Sequence, residues 1–136
     1  MRFGTDGIRG RAGTELTDAV AAALGRAVVR ELGARRVLIG RDTRESGPAL
    51  ERALVDAIAA AGAVPEALGV APTPAVAHAA RAADSPGIAI TASHNPWTDN
   101  GLKVFAAGGT KLDDDAQARL EAALARELAA AATPAP

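Results

Sequence analysis

The 136-residue chain contains no cysteine and no tyrosine. Without cysteine there is no disulfide framework and no thiolate metal site. Aromatic residues are 2% of the sequence, as Phe3, Trp97 and Phe105. The core is therefore expected to be aliphatic. Neither sign of charge is in excess. Fifteen Lys and Arg against 16 Asp and Glu leave a net charge of −1, and no basic face presents itself to nucleic acid. No apolar run approaches the roughly 20 residues of a membrane-spanning helix. Met1-Arg2 is not followed by the apolar segment of a signal peptide. The expectation is a soluble, cytoplasmic protein with no membrane partner. Histidine is scarce as well, with only His78 and His94. A Ser-His-Asp hydrolase has little to build with, and there is no Gly-x-Ser-x-Gly elbow.

What is present is a regular alternation of apolar patterns. Hydrophobic residues are 49% of the chain, enough for a globular core in a domain of ordinary size. Val20, Leu24, Val28 and Leu32 recur at spacing four, predicting a helix from Thr17 to about Leu32 that Gly33 ends. Val37-Leu38-Ile39 is a continuous apolar run, as in a parallel strand covered on both faces. Ser46-Gly47-Pro48 opens a second helix, with Pro48 in the first turn, and Gly62 ends it. Val64 to Val70 is a second strand, and Thr73-Pro74 starts a shorter helix to about Ala83. Gly87-Ile88-Ala89-Ile90 is a third strand. Gly101 to Phe105 is a fourth, too close to the third for a crossover helix and therefore antiparallel to it. Asp113 to about Leu128 is the last helix. The expected fold is α/β: a three-layer α/β/α domain with a mixed four-stranded sheet. Residues 1–130 form the domain, and 131–136 read as an interdomain linker stub. The loops Arg41–Arg44, Ala71–Thr73 and Thr91–Asn95 should share one rim.

The chemistry concentrates in Thr91-Ala92-Ser93-His94-Asn95-Pro96, continuing to Leu102-Lys103. Ser93 falls where the third strand ends, and α/β sheets collect ligands outside the carboxyl ends of their strands. Ser93 is thus a candidate nucleophile, although Ser-His-Asn-Pro is equally good turn chemistry. His94, Asn95, Lys103 and loop N–H groups are donors suited to a phosphoryl group. Arg44 either covers phosphate or pairs with Glu45 or Glu51. Asp6 and Arg9 lie in a glycine-rich arm and can pair with each other. Trp97 reads as a loop anchor and His78 as a surface residue. Asp113-Asp114-Asp115 reads as an acidic helix start rather than a cation site, since consecutive carboxylates diverge.

Five segments together resemble the α-D-phosphohexomutases, and within them the phosphoglucosamine mutase branch. They are Phe3-Gly4-Thr5-Asp6-Gly7-Ile8-Arg9-Gly10, Ile39-Gly40-Arg41-Asp42-Thr43-Arg44 with Ser46-Gly47, Pro72-Thr73-Pro74-Ala75-Val76, the Ser93 loop, and Gly108-Gly109-Thr110-Lys111-Leu112. The resemblance implies that Ser93 carries a phosphoryl group and exchanges it with a hexose or hexosamine phosphate through a bisphosphorylated sugar. It implies Mg²⁺ on the phosphate of Ser93. It places the arm with Thr5 and Arg9 at the active site, with Arg9, His94 and Lys103 offsetting phosphate charge. Thr5, Asn95 and Arg44 complete the implied phosphate contacts. The resemblance covers the first of four family domains, so the remaining domains are implied partners. The chain is then expected to fold but not to turn over alone. A phosphomannomutase or phosphoglucomutase domain, or a non-catalytic module of the same fold, is the alternative.

Overall fold

The computed structural model describes residues 7–132 of the chain. Its elements are β1 (Ile8–Arg11), α1 (Asp18–Leu32), β2 (Arg36–Arg41), α2 (Gly47–Ala60), β3 (Val64–Val70), α3 (Thr73–Ala82), β4 (Gly87–Ile90), β5 (Asp99–Phe105) and α4 (Asp114–Ala132). The strands form one sheet in the order β1-β5-β4-β2-β3. β2 runs parallel to both β3 and β4, while β5 is antiparallel to β4 and to β1.

The sheet has five strands, not the expected four. The extra strand is β1, which the sequence presented as a glycine-rich arm. Ile8 pairs with Leu102 and Arg9 with Gly101. Of its four residues only Ile8 is buried, too short an alternation to stand out against Gly7 and Gly10. The α/β class and the mixed sheet are as expected.

Local signals account for the element ends. The Thr17 hydroxyl accepts the Val20 N–H at 3.2 Å and caps α1, and Gly33 ends that helix at φ 59°. This left-handed conformation favours glycine. Asp113 caps α4 by accepting the Ala116 N–H at 2.7 Å. α4 then runs through Ala131 and Ala132, because alanine is the strongest helix former and nothing in that stretch breaks it. Residues 133–136 of the expected linker lie outside the described residues.

One face of the sheet carries α1, α2 and α4 over a large aliphatic core that includes Leu24, Ile39, Leu54, Ile88, Leu102 and Leu120. The other face carries α3 over a small cluster of Val76, Ala89 and Phe105. α3 lies close because β2 has no side chain at Gly40, where a Cβ would run into Val76 Cγ2. α1 and α4 are clamped by Glu127, which accepts from Arg26 at 2.9 Å and also from Arg30, and by Arg126 with Glu31 at 3.0 Å.

Candidate functional site

The carboxyl ends of β2 and β4 are stitched together. The Asp42 N–H donates to the Ile90 carbonyl at 3.1 Å, and the Ala71 N–H donates to the Arg41 carbonyl at 2.9 Å. This brings the Arg41–Arg44 loop, the start of α3 and the serine loop to one rim, as the connectivity predicted. The serine loop is the β4–β5 hairpin, closed by the Thr91 N–H on the Gly101 carbonyl at 2.9 Å.

Ser93 stands at φ 51°. A non-glycine residue held there costs on the order of 1 kcal/mol and persists only where its surroundings over-determine it. The surroundings do so on both sides. The Ser93 N–H donates to Thr91 Oγ1 at 3.1 Å, and Thr91 Oγ1 donates to Asp42 Oδ2 at 2.7 Å. The Ser93 carbonyl accepts from Arg44 Nη2 at 2.8 Å. Ser93 and His94 are exposed, and neither side chain makes a hydrogen bond to a described residue. The serine hydroxyl is thus presented to solvent on a fixed backbone.

Arg44 lies under this loop. Its Nε donates to Asp42 Oδ2 at 3.1 Å, Nη1 to the carbonyls of Pro96 and Asp99, and Nη2 to those of Ser93 and Asn95. A guanidinium has five N–H donors, and all five are engaged here. Neither of its expected acidic partners is used. Asp42 takes the pair, and Glu51 is held by Arg41 at 3.2 Å. A phosphate contact from Arg44 would need one of these bonds to be given up.

Arg9, on β1, reaches the loop from the other side, with Nη1 donating to Asn95 Oδ1 at 3.3 Å. Asn95 in turn donates to Asp99 Oδ2 at 3.3 Å. The expected Asn95 therefore lies between Arg9 and the end of β5. Thr5 and Asp6 lie outside the described residues. Lys103 sits opposite Ala89 in the sheet, on the same strand face as Phe105, and its Nζ stands 5.5 Å over the Phe105 ring. It makes no hydrogen bond or ion pair to a described residue. Trp97 is not the expected anchor: it is 74% exposed and stands at the lip of a shallow cleft of about 460 Å³ that also includes Ser93, Asn95 and Asp42. A larger cavity of about 750 Å³ opens at the opposite end of the sheet, beside Pro86 and Lys111. The carboxyl rim is where α/β sheets bind ligands, and the candidate nucleophile is there.

Three supporting residues have roles that residue type and spacing do not reveal. They are Asp42, Thr91 and Asn100. Asn100 is fully buried, donating to Ser46 Oγ at 2.8 Å and accepting the Gly101 N–H at 2.9 Å. The signal for Asp42 was its place one residue past a strand end.

Mg²⁺ takes oxygen ligands in near-octahedral geometry. Among the described residues no group of three His, Cys, Asp or Glu stands where it could hold a metal ion. Near Ser93, Asp42 is engaged by Arg44 and Thr91, and Asp99 by Asn95. Among the described residues these carboxylates do not make a Mg²⁺ site by themselves.

Fold and rim define a class of protein: a three-layer α/β/α domain presenting a serine on a strained hairpin over an arginine cage. Residues 1–131 match the family described as phosphoglucomutase/phosphomannomutase, alpha/beta/alpha domain I, and the chain belongs to that family. A phosphoglucosamine mutase of Frankia alni is 49% identical over 137 residues, covering 91% of this chain and 30% of its own length. One from Mycolicibacterium vanbaalenii is 51% identical, covering 88% of this chain and 28% of its own. A crystal structure of a phosphoglucomutase/phosphomannomutase family protein from Burkholderia thailandensis superposes with a TM-score of 0.76 at 34% identity, over 95% of this chain and 30% of that one. The chain thus spans about 30% of the length of the curated relatives it matches. No helix among the described residues is long and apolar enough to cross a membrane.

Proposed function

We propose that this chain is the phosphoserine-bearing domain of a phosphohexomutase, and that the full activity is interconversion of glucosamine 6-phosphate and glucosamine 1-phosphate through a bisphosphorylated sugar. The observation that carries it is the presentation of Ser93: exposed, at φ 51°, with both flanking peptide groups fixed. A nucleophile held in one orientation avoids much of the entropic cost of reaction. In phosphoryl transfer, catalysis is mostly positioning and charge neutralisation. Arg9 supplies a cation one hydrogen bond from the loop, and His94 supplies a donor beside the serine. The choice of glucosamine phosphate over mannose or glucose phosphate rests on the names of the relatives about 50% identical to this chain. Mg²⁺ as cofactor and further domains as partners belong to the same proposal.

Phosphopeptide mass spectrometry after incubation with α-D-glucose 1,6-bisphosphate tests it. The group is expected on Ser93 and absent from a Ser93→Ala chain. Phosphate on Thr91 alone, or none, would overturn the reading.

A further inference from the structure

We propose that Arg44 is the positioning residue of the serine loop: one guanidinium fixes both peptide groups of Ser93 and so sets the direction in which its hydroxyl meets phosphorus. The inference rests on the phosphoserine reading above. On the carbonyl side the contact is direct, Nη2 to the Ser93 oxygen at 2.8 Å. On the amide side it is relayed. Arg44 Nε and the Thr91 hydroxyl share Asp42 Oδ2, and the same Thr91 oxygen accepts the Ser93 N–H. The Arg44 backbone N–H holds the other Asp42 oxygen at 3.0 Å, so the relay cannot swing away. The φ of 51° is therefore enclosed between two arms of a single side chain.

The same group gathers the carbonyls of Asn95, Pro96 and Asp99. Four carbonyl dipoles aimed at one point repel each other unless a cation sits there. The Arg44 side chain is 11% exposed, so water cannot readily take its place. Lysine would not serve equally, since its ammonium has three tetrahedral donors where this cage uses five in a plane. In the step supported, Ser93 Oγ bonds to phosphorus as the phosphorus–oxygen bond to the sugar breaks. The hydroxyl proton ends on the departing sugar oxygen, and no redox change occurs. Arg44 touches none of these atoms.

The test compares the parent chain with Arg44→Ala, Arg44→Lys and Thr91→Val. Phosphate uptake on Ser93 from α-D-glucose 1,6-bisphosphate is followed by mass spectrometry, and amide hydrogen exchange is followed by NMR. Misplacing a reacting group by about 1 Å can cost about 10²-fold, and Arg44→Ala should lose uptake on that scale. Arg44→Lys should remain at least about tenfold impaired. Guanidinium chloride at non-denaturing concentration should restore Arg44→Ala and leave Thr91→Val unchanged. The Asn95 and Asp99 amides should exchange about tenfold faster in Arg44→Ala while the α1 amides keep the parent rate, the signature of local opening. Should Arg44→Ala fail to fold, Arg44→Lys and Thr91→Val carry the test, each expected to slow uptake and loosen the loop. Uptake near the parent rate in Arg44→Lys, loss of protection throughout the chain, or no response to guanidinium would overturn the proposal. If the parent chain itself takes no phosphate, the phosphoserine reading fails instead. In that case, parent-like loop exchange in Arg44→Lys and Thr91→Val would sink the positioning role as well.

Discussion

Gly101 lies opposite Arg9 in the β1–β5 pair, and its missing side chain is what lets the arginine cross the hairpin. A Cβ on Gly101 would stand 2.5 Å from the Thr91 carbonyl oxygen and 3.0 Å from Arg9 Cγ. The first contact is with backbone that closes the serine hairpin, so it cannot yield cheaply. Gly101→Ala should therefore lower stability by about 1–3 kcal/mol, the usual scale for overpacking. Urea unfolding would measure the loss. The same substitution should slow phosphate uptake on Ser93, because the hairpin and Arg9 must both move. A variant with parent stability would show that the strand pair is looser than the packing here implies.

The family resemblance implies that Arg9 and Lys103 are cations for one phosphate, but the structure gives them different surroundings. Arg9 is one hydrogen bond from Asn95, while Lys103 stands over Phe105. Removing a preorganised charge that faces a transferring group costs on the order of 10²–10³ in rate. Arg9→Ala should lower Ser93 phosphorylation on that scale, with an unchanged circular dichroism spectrum. If Lys103 serves the same phosphate, Lys103→Ala should do likewise. If its work is the ring contact, uptake holds and stability falls by about 0.5–1 kcal/mol. Parallel rates and unfolding midpoints for the two variants separate these outcomes.

Helices α1 and α2 were legible because apolar spacing, a start signal (the Thr17 cap for α1, Pro48 in the first turn for α2) and glycine stops agree with each other. The parallel strands β2 and β4 were legible because each holds a continuous buried apolar run. β1 was not, since one core residue among glycines leaves no period to read. The serine loop stood out through its residue types, yet its organisation did not. Arg44 pairs with Asp42 two positions back and with carbonyls about 50 positions on. Carbonyls carry no sequence signature, so the sequence offered Glu45 and Glu51 as partners instead. Trp97 departs from expectation for a related reason: a tryptophan in a loop suggests burial, but here the hairpin turns it outward.

Glu127 couples pH to the α1–α4 clamp. Burial pushes its carboxyl up, but the hydrogen bond from Arg26 and the charges of Arg30 and Arg26 outweigh that and hold it below its ordinary 4.5. A carboxyl lowered in the folded state contributes stability above its unfolded value, and loses it as pH falls through the folded one. The clamp should thus hold at neutral pH and weaken below about 4.5. Glu127→Gln should cost on the order of 1 kcal/mol at pH 7 and much less near pH 3, since partly exposed pairs contribute little beyond that. Unfolding free energies of both chains across that range check the sign. A constant difference between them would show that the carboxyl does not titrate with folding.

The chain alone should take phosphate on Ser93 but should not isomerise a sugar. Uptake needs one fixed nucleophile and one donor, and the rim provides the nucleophile on a rigid hairpin. Isomerisation asks for more. The bisphosphate must stay bound while its second phosphate reaches the same serine, so both ends of the sugar need holding. Ser93, His94 and Trp97 all face outward, and the cleft beside them is shallow. Arg44, the densest cluster of donors at the rim, is turned inward on the loop carbonyls. The family relatives are more than three times as long as this chain, which leaves ample sequence to form an opposite wall. Copies of this chain meeting each other would repeat the same rim rather than complete it. A coupled assay with Mg²⁺, glucosamine 6-phosphate and a trace of bisphosphate measures the outcome. The expected rate is far below 1 s⁻¹, which is about the low end of ordinary enzymes. Turnover at that level by the chain alone would show that this rim holds the bisphosphate without another wall.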